Sequence, residues 1–134
     1  MADHEITVGV GIDLVDIAEL AEVMARPRML ARVFTRRELA YCRARAQPMQ
    51  HLAVRFAAKE AAFKAIGTGW ANGVTWRDAE VVAAPGSAPQ LVARGELARR
   101  GKALGAAQFH VSLSHSGAYA AAVVVITAAQ AVRR

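Results

Sequence analysis

Apolar and polar positions change their spacing along this chain, and the changes divide it into distinct pieces. Residues 6–12 (ITVGVGI) alternate β-branched residues with glycine, which predicts a strand whose glycines permit close approach of another backbone, with Asp13 at its end. From Asp16 the period becomes helical: Ile17, Leu20, Ala21 and Met24 share one face, and Pro27 is expected to close the helix. Thr35-Arg-Arg-Glu38 is a capping box, so a second helix starts there and runs through Leu39 and Cys42. Gln47-Pro48 breaks the chain, and a main helix follows over residues 49–66 with Gly67 as its C-terminal cap.

The second half has a different character. Residues 74–76 and 79–84 read as extended, Pro85-Gly86-Ser87 as a turn, 90–93 as a strand and 96–104 as a short helix. Residues 108–114 (QFHVSLS) alternate strictly, with Phe109, Val111 and Leu113 on one face and His110, Ser112 and Ser114 on the other. Ser116-Gly117-Ala118 turns the chain into residues 119–126, completing an antiparallel hairpin. Helices come early and hairpin strands late. The expectation is one α+β domain over residues 1–134, with an N-terminal strand and helices followed by a mainly antiparallel sheet.

Composition adds limits. The longest apolar run, residues 119–129, is too short for a bilayer span of roughly 20 residues. Neither a signal peptide nor a membrane partner is expected. The lone Cys42 cannot form an internal disulfide and reads as an ordinary helical cysteine in a reducing cytoplasm, although its arginine neighbours leave an activated thiol as the alternative.

Charge is more informative. The net charge is +6, and it is unevenly spread. The first 25 residues contain no Lys or Arg but hold Asp3, Glu5, Asp13, Asp16, Glu19 and Glu22. Arg26, Arg28, Arg32, Arg36, Arg37, Arg43, Arg45, Arg55 and Lys59 then follow against the single acid Glu38. Such a segment suits an acidic protein, a phosphate-bearing ligand or nucleic acid, or is simply a solvated face. A nucleic-acid module would leave Asp13 and Glu60 without a use, and stacking aromatics are scarce in the basic run.

On the main helix, Leu52, Phe56, Phe63 and Ile66 form one stripe, expected to face the core. Lys59 falls inside it and Arg55 at its edge. In the bland reading both snorkel to water, while Glu60 and Lys64 make a surface i,i+4 pair. The alternative is a phosphate-and-metal site in which carboxylate oxygens hold Mg²⁺ and cations meet phosphate, with Asp13 as the second carboxylate. Gly67-Thr68-Gly69 follows a helix, where the dipole disfavours anions, and by itself reads as a helix stop.

Three segments together resemble the small 4'-phosphopantetheinyl transferases of the holo-[acyl-carrier-protein] synthase type: GIDLVDI at 11–17, RFAAKEA at 55–61 with Lys64 and GTG, and HVSLSH at 110–115. VFTRRE at 33–38 and WRDAEV at 76–81 look like that family's connecting segments. The resemblance implies the 4'-phosphopantetheinyl transferase fold. It also implies Mg²⁺-dependent transfer of the phosphopantetheine arm of coenzyme A to a serine of an acidic acyl carrier protein, for fatty acid or polyketide synthesis. Asp13 and Glu60 match its metal-binding acids, Lys64 the lysine at the leaving phosphate, and either Glu60 or a nearby water its base. Arg55, Gly67, Thr68 and His115 match coenzyme contacts, whereas His110 stays structural and His4 and His51 unassigned. Arg26, Arg28 and Arg32 match the cations offered to the carrier; no nucleic acid partner is implied. Glu19 stands where relatives can carry arginine, and Ser116 where some have an acid. The family's homotrimers place active sites between subunits. On that reading the Arg55 and Lys59 face meets a neighbour and a shared ligand, and Asp13 serves a site completed by another chain's Glu60.

Overall fold

The computed structural model describes residues 3–67, 73–84, 86–105 and 107–131. Strand β1 (Asp3–Asp16) leads into helices α1 (Ile17–Met24), α2 (Pro27–Val33), α3 (Arg36–Arg43) and α4 (Pro48–Ile66). A 3₁₀ turn at Trp76–Asp78 precedes β2 (Ala79–Val82), β3 (Gln90–Ala93), α5 (Gly95–Ala103), β4 (Gln108–Ser116) and β5 (Tyr119–Ala131). One antiparallel sheet has the order β1-β5-β4, and β2 pairs with β3 in a separate antiparallel ribbon. The α+β expectation and the C-terminal hairpin hold.

Local chemistry explains most boundaries. Asp16 caps α1 by accepting from the Glu19 amide at 3.0 Å. The Thr35–Glu38 capping box is formed in both directions. Gly67 ends α4 in the left-handed region, at φ 80°. Two boundaries depart from expectation. Pro27 does not merely stop α1; it occupies the first turn of α2, where its missing N–H costs nothing. Trp76 belongs to the 3₁₀ turn rather than to an extended segment, because Thr75 and Asp78 form a second capping box there. The Ser87 amide closes its turn onto the Ala84 carbonyl at 3.0 Å, while Pro85 lies outside the described residues.

Beyond a bulge at Thr7/Gly9, β1 alternates strictly, and it runs on to Asp16 rather than ending at Asp13. Gly9, Gly11, Asp13 and Val15 therefore share one face. That face meets α4: a Cβ on Gly11 would lie 1.9 Å from the Ala61 carbonyl oxygen, and one on Gly9 2.2 Å from that of Ala65. Only glycine in the strand and alanine in the helix allow these backbones so close. The opposite face leaves Val10, Ile12 and Leu14 more than 60% exposed.

The predicted core stripe of α4 is too narrow. Leu52 and Phe63 are buried as expected, but Ala53, Ala57, Ala58, Ala61 and Ala62 are fully enclosed too, and Phe56 and Ile66 are only half-buried. The helix is central, with core on several sides; Phe63 alone contributes about 2–3 kcal/mol of apolar burial. No helix among the described residues is long and apolar enough to cross a membrane.

Candidate active site

Period 2 on β1 and the 100° step on α4 bring Asp13, Glu60 and Lys64 together. Asp13 points to the helix side with Gly11; Glu60 and Lys64 lie one residue round from Ala61 and Ala65, which touch the strand. Lys64 donates to Asp13 Oδ1 at 2.8 Å and to the Ile12 carbonyl at 3.1 Å. The i,i+4 surface pair with Glu60 is thus not the contact Lys64 makes. Burial pushes the Glu60 carboxyl above its ordinary pKa, the Asp13 charge pushes it further, and Lys64 pulls it back.

Both carboxylates line a cleft of about 390 Å³ whose other walls include Leu20, Val23, Met29, Phe56 and Trp76. Two carboxylates lining one cleft, the charge of Asp13 disfavouring that of Glu60, form a hard-oxygen pair suited to a divalent cation. The described residues contain no group of three or more metal-ligating side chains, so a metal held here would take its remaining ligands from phosphate oxygens and water. Asp13 and Glu60 line the cleft of one chain, so the pair forms without another chain's Glu60.

Arg55 and Lys59 do not snorkel to water, and neither depends on a neighbour for its burial. Both are buried within their own chain, at 2% and 0% exposure. Lys59 donates to Glu38 Oε1 at 2.8 Å, the Ala79 carbonyl at 2.6 Å and the Trp76 carbonyl at 3.2 Å. Burial pulls the Lys59 pKa down, while the charge and hydrogen bond of Glu38 oppose this. Glu38 is more than a cap. It also takes the Val81 amide at 2.9 Å, a role that a local capping pattern cannot reveal.

Arg55 and His115 belong to a second group. Five residues before Glu60, Arg55 points about 140° round the helix. It donates through Nη1 to the His51 carbonyl at 3.0 Å and lies 4.6 Å from the Tyr41 ring centroid. Its buried Nε has no hydrogen-bond partner among the described residues. Arg45 also covers Tyr41, at 4.4 Å. Burial and then the charges of Arg55, Arg45 and His115 lower the His51 pKa, so this is a compact cationic group. Nothing in the sequence marks Arg45 or His51 as its members, because their proximity is tertiary.

The remaining candidates separate. Gly67 follows Lys64 at the end of α4; its amide is taken by the Phe63 and Lys64 carbonyls, leaving open space on its Cα. Thr68 lies outside the described residues. Arg26, Arg28 and Arg32 are exposed on or beside α2, with Arg26 on a neighbouring depression beside Glu22, Val23 and Met29. Glu19 lines the cleft itself, and Ser116 is exposed at the end of β4. His110 bonds Thr127 Oγ1 at 2.9 Å, a structural strand contact. Burial raises the Cys42 thiol's pKa against the opposing charge of Arg55, so this cysteine is not an activated one.

A sequence profile of the 4'-phosphopantetheinyl transferase superfamily matches residues 9–124. The holo-[acyl-carrier-protein] synthase of Koribacter versatilis (strain Ellin345) is 44% identical over 120 residues, 88% of this chain and 96% of that protein. Among solved structures, the Neisseria meningitidis holo-[acyl-carrier-protein] synthase superposes with a TM-score of 0.81 at 27% identity, covering 90% of this chain and 98% of that one. A Chronobacterium ammoniagenes complex of such a synthase with coenzyme A gives 0.77 at 30% identity, covering 94% and 97%. By sequence and by fold, the chain belongs to the 4'-phosphopantetheinyl transferase superfamily, in its holo-[acyl-carrier-protein] synthase group.

Proposed function

We propose that the chain is a single-domain enzyme that transfers the 4'-phosphopantetheine arm of coenzyme A to a serine of an apo acyl carrier protein. The observation that carries this reading is the grouping of Asp13, Glu60 and Lys64 in one cleft. The serine Oγ attacks the phosphorus bearing the arm, the bond to the nucleotide phosphate breaks, and adenosine 3',5'-bisphosphate leaves. Asp13 and Glu60 would hold Mg²⁺, which would supply charge neutralisation at the pyrophosphate. The serine proton passes to a carboxylate oxygen of Glu60, directly or through one water, and Lys64 offsets charge on the leaving phosphate.

Arg55 and His115 serve the coenzyme's nucleotide end, with Gly67 and Thr68 beside it; the unpartnered Arg55 Nε supports an anion contact. Since that group and the carboxylates face different sides of α4, one subunit's Asp13–Glu60–Lys64 and a neighbour's Arg55–His115 make a complete site in a homotrimer. The exposed Val10, Ile12 and Leu14 face of β1 supports such an assembly. Arg26, Arg28 and Arg32 receive the acidic carrier. The cytoplasm is the compartment of this work, and fatty acid or polyketide synthesis its setting.

The test is direct. Incubation with coenzyme A, Mg²⁺ and an apo carrier should add the mass of the arm to the carrier. Asp13→Ala and Glu60→Ala should each abolish the gain, and unchanged rates in either would remove that residue from the site.

A further inference from the structure

Lys59 and Glu38 lie outside the cleft, yet a chain of bonds ties them to its wall. We propose that this buried pair is a positioning device for the transfer reaction, fixing Trp76 against the helix that carries Glu60. The proposal rests on the reading of the cleft as the transfer site.

An ammonium has three N–H donors, and Lys59 directs them to Glu38, the Ala79 carbonyl and the Trp76 carbonyl. The two carbonyls bracket the 3₁₀ turn: Trp76 opens it and Ala79 follows it as the first residue of β2. One buried cation therefore holds both ends of the turn from inside. Glu38 anchors the cation in turn. Its Oε1 also accepts the Thr35 amide at 2.9 Å, and its Oε2 accepts the Val81 amide at 2.9 Å. Helices α3 and α4, the turn and β2 are thereby locked through two side chains. On the other side of the turn, the Trp76 indole stacks on Phe56 with centroids 4.9 Å apart and meets Phe63 edge-on at 6.0 Å. Trp76 and Phe56 line the same cleft as Asp13 and Glu60.

Stability alone does not explain such a pair. Desolvation of two ions offsets much of their attraction, and a well-packed apolar pair often does as well. What apolar side chains cannot do is aim at two specified carbonyls. Lys59 does not itself line the cleft and reaches it only through the Trp76 backbone, so it is a positioning residue acting through the Trp76 wall.

The test uses the full chain in a Trp70→Phe background, so that emission reports Trp76. Lys59→Met, Trp76→Leu and their combination are compared for kcat, for KM toward coenzyme A and the carrier and for Tm, and Lys59→Met also for emission wavelength against the parent. Lys59→Met should lower kcat about ten- to a hundredfold with little change in either KM, and shift Trp76 emission to the red. Trp76→Leu should lower kcat similarly, and the combination should be no worse than the poorer single variant. Losses that multiply, or a Lys59→Met kcat within about twofold of the parent, would overturn the proposal. Should Lys59→Met fail to fold, Trp76→Leu decides, because an unchanged kcat there overturns it equally. A parent chain that transfers nothing defeats the functional reading instead; the emission of Lys59→Met then judges the clamp, and an unshifted band refutes it.

Discussion

The closest backbone approach near the site is also its most informative target. A Cβ at Gly11 would lie 1.9 Å from the Ala61 carbonyl oxygen and 2.9 Å from the Ala61 carbonyl carbon and the Ala65 nitrogen. A carbon needs roughly 3.3 Å from a carbonyl oxygen, so Gly11→Ala must open the strand–helix contact by about 1.4 Å. All three obstructing atoms are backbone, so no rotamer change on α4 relieves the clash, and Ala61→Gly would not rescue it. Overpacking of this kind costs about 3 kcal/mol, at the upper end of its usual range. For a chain of this size that is a fall in Tm of about 10 °C.

The catalytic consequence follows from position. Asp13 is two residues beyond Gly11 on the same face, and its 2.8 Å bond to Lys64 spans the gap that must widen. A misplacement near 1 Å costs about a hundredfold in rate. Gly9→Ala supplies the internal comparison. Its Cβ would lie 2.2 Å from the Ala65 carbonyl oxygen, a similar clash, but four residues from Asp13. Both variants should lose similar stability by thermal unfolding, and Gly11→Ala should lose far more kcat in the intact-mass transfer assay at a temperature where both are folded. Native Tm and native kcat in Gly11→Ala would refute the claim that strand–helix contact sets the site.

In the folded chain Glu60 holds its proton more tightly than an unfolded glutamate, so its stabilising share is present below the ordinary glutamate range and is lost as pH rises through the raised value. Glu60→Gln should therefore keep or raise the Tm of the metal-free protein at neutral pH while cutting transfer at least about 100-fold; a Tm lower by several degrees would contradict this. For Glu80, burial raises the pKa, but hydrogen bonds from Thr35 and Arg94 and the charges of Arg94 and Arg37 outweigh it, leaving it lowered. That share of stability is complete above the unfolded value of about 4.3 and lost as pH falls through the folded one. Thr35→Val removes both the 2.6 Å bond to Glu80 and the cap on the Glu38 amide. It should cost about 1–2 kcal/mol and move the acid-unfolding midpoint upward, read by circular dichroism. Replacing Arg26, Arg28 and Arg32 with Gln should raise KM for the carrier and flatten its salt dependence, leaving KM for coenzyme A unchanged. In the proposed homotrimer, Ile12→Asp on the 64%-exposed outer face should lower the gel-filtration mass from about three times 14.3 kDa toward that of one chain.

Much of the site was legible because two periodicities are simple. Alternation along ITVGVGI puts Gly9, Gly11 and Asp13 on one face, and the capping box and Gly67 bound the helices by local chemistry. The destination of Lys59 was not legible. A lysine inside an apolar stripe signals either a snorkelling stem or a buried partner, and the partner, Glu38, lies 21 residues away behind a pattern that already had a local explanation. Pro27 misled for a related reason, since proline is as suited to the first turn of a helix as to the end of one. The Arg45–His51–Arg55–His115 group joins the connection between α3 and α4, α4 itself and β4, and no spacing within one element encodes that meeting.

The charged residues in the middle of α4 follow from this geometry. Lys59, Glu60 and Ala61 are consecutive, and steps of about 100° send them to the interior, the cleft and the sheet respectively. Glu60 is a flexible acid, but its helix is fixed on one side by the glycine–alanine backbone contact and on the other by the Lys59 ammonium bound to the Trp76 turn. Its distance from Asp13 is thus set by rigid elements on both sides. Catalysis that depends on holding a phosphoryl group between fixed charges needs this kind of frame more than it needs reactive side chains. Gly11→Ala and Lys59→Met disturb the frame from opposite faces of one helix while leaving both carboxylates in place. If position governs the rate, each should depress kcat with the acid pair intact. If the carboxylates suffice by themselves, neither will.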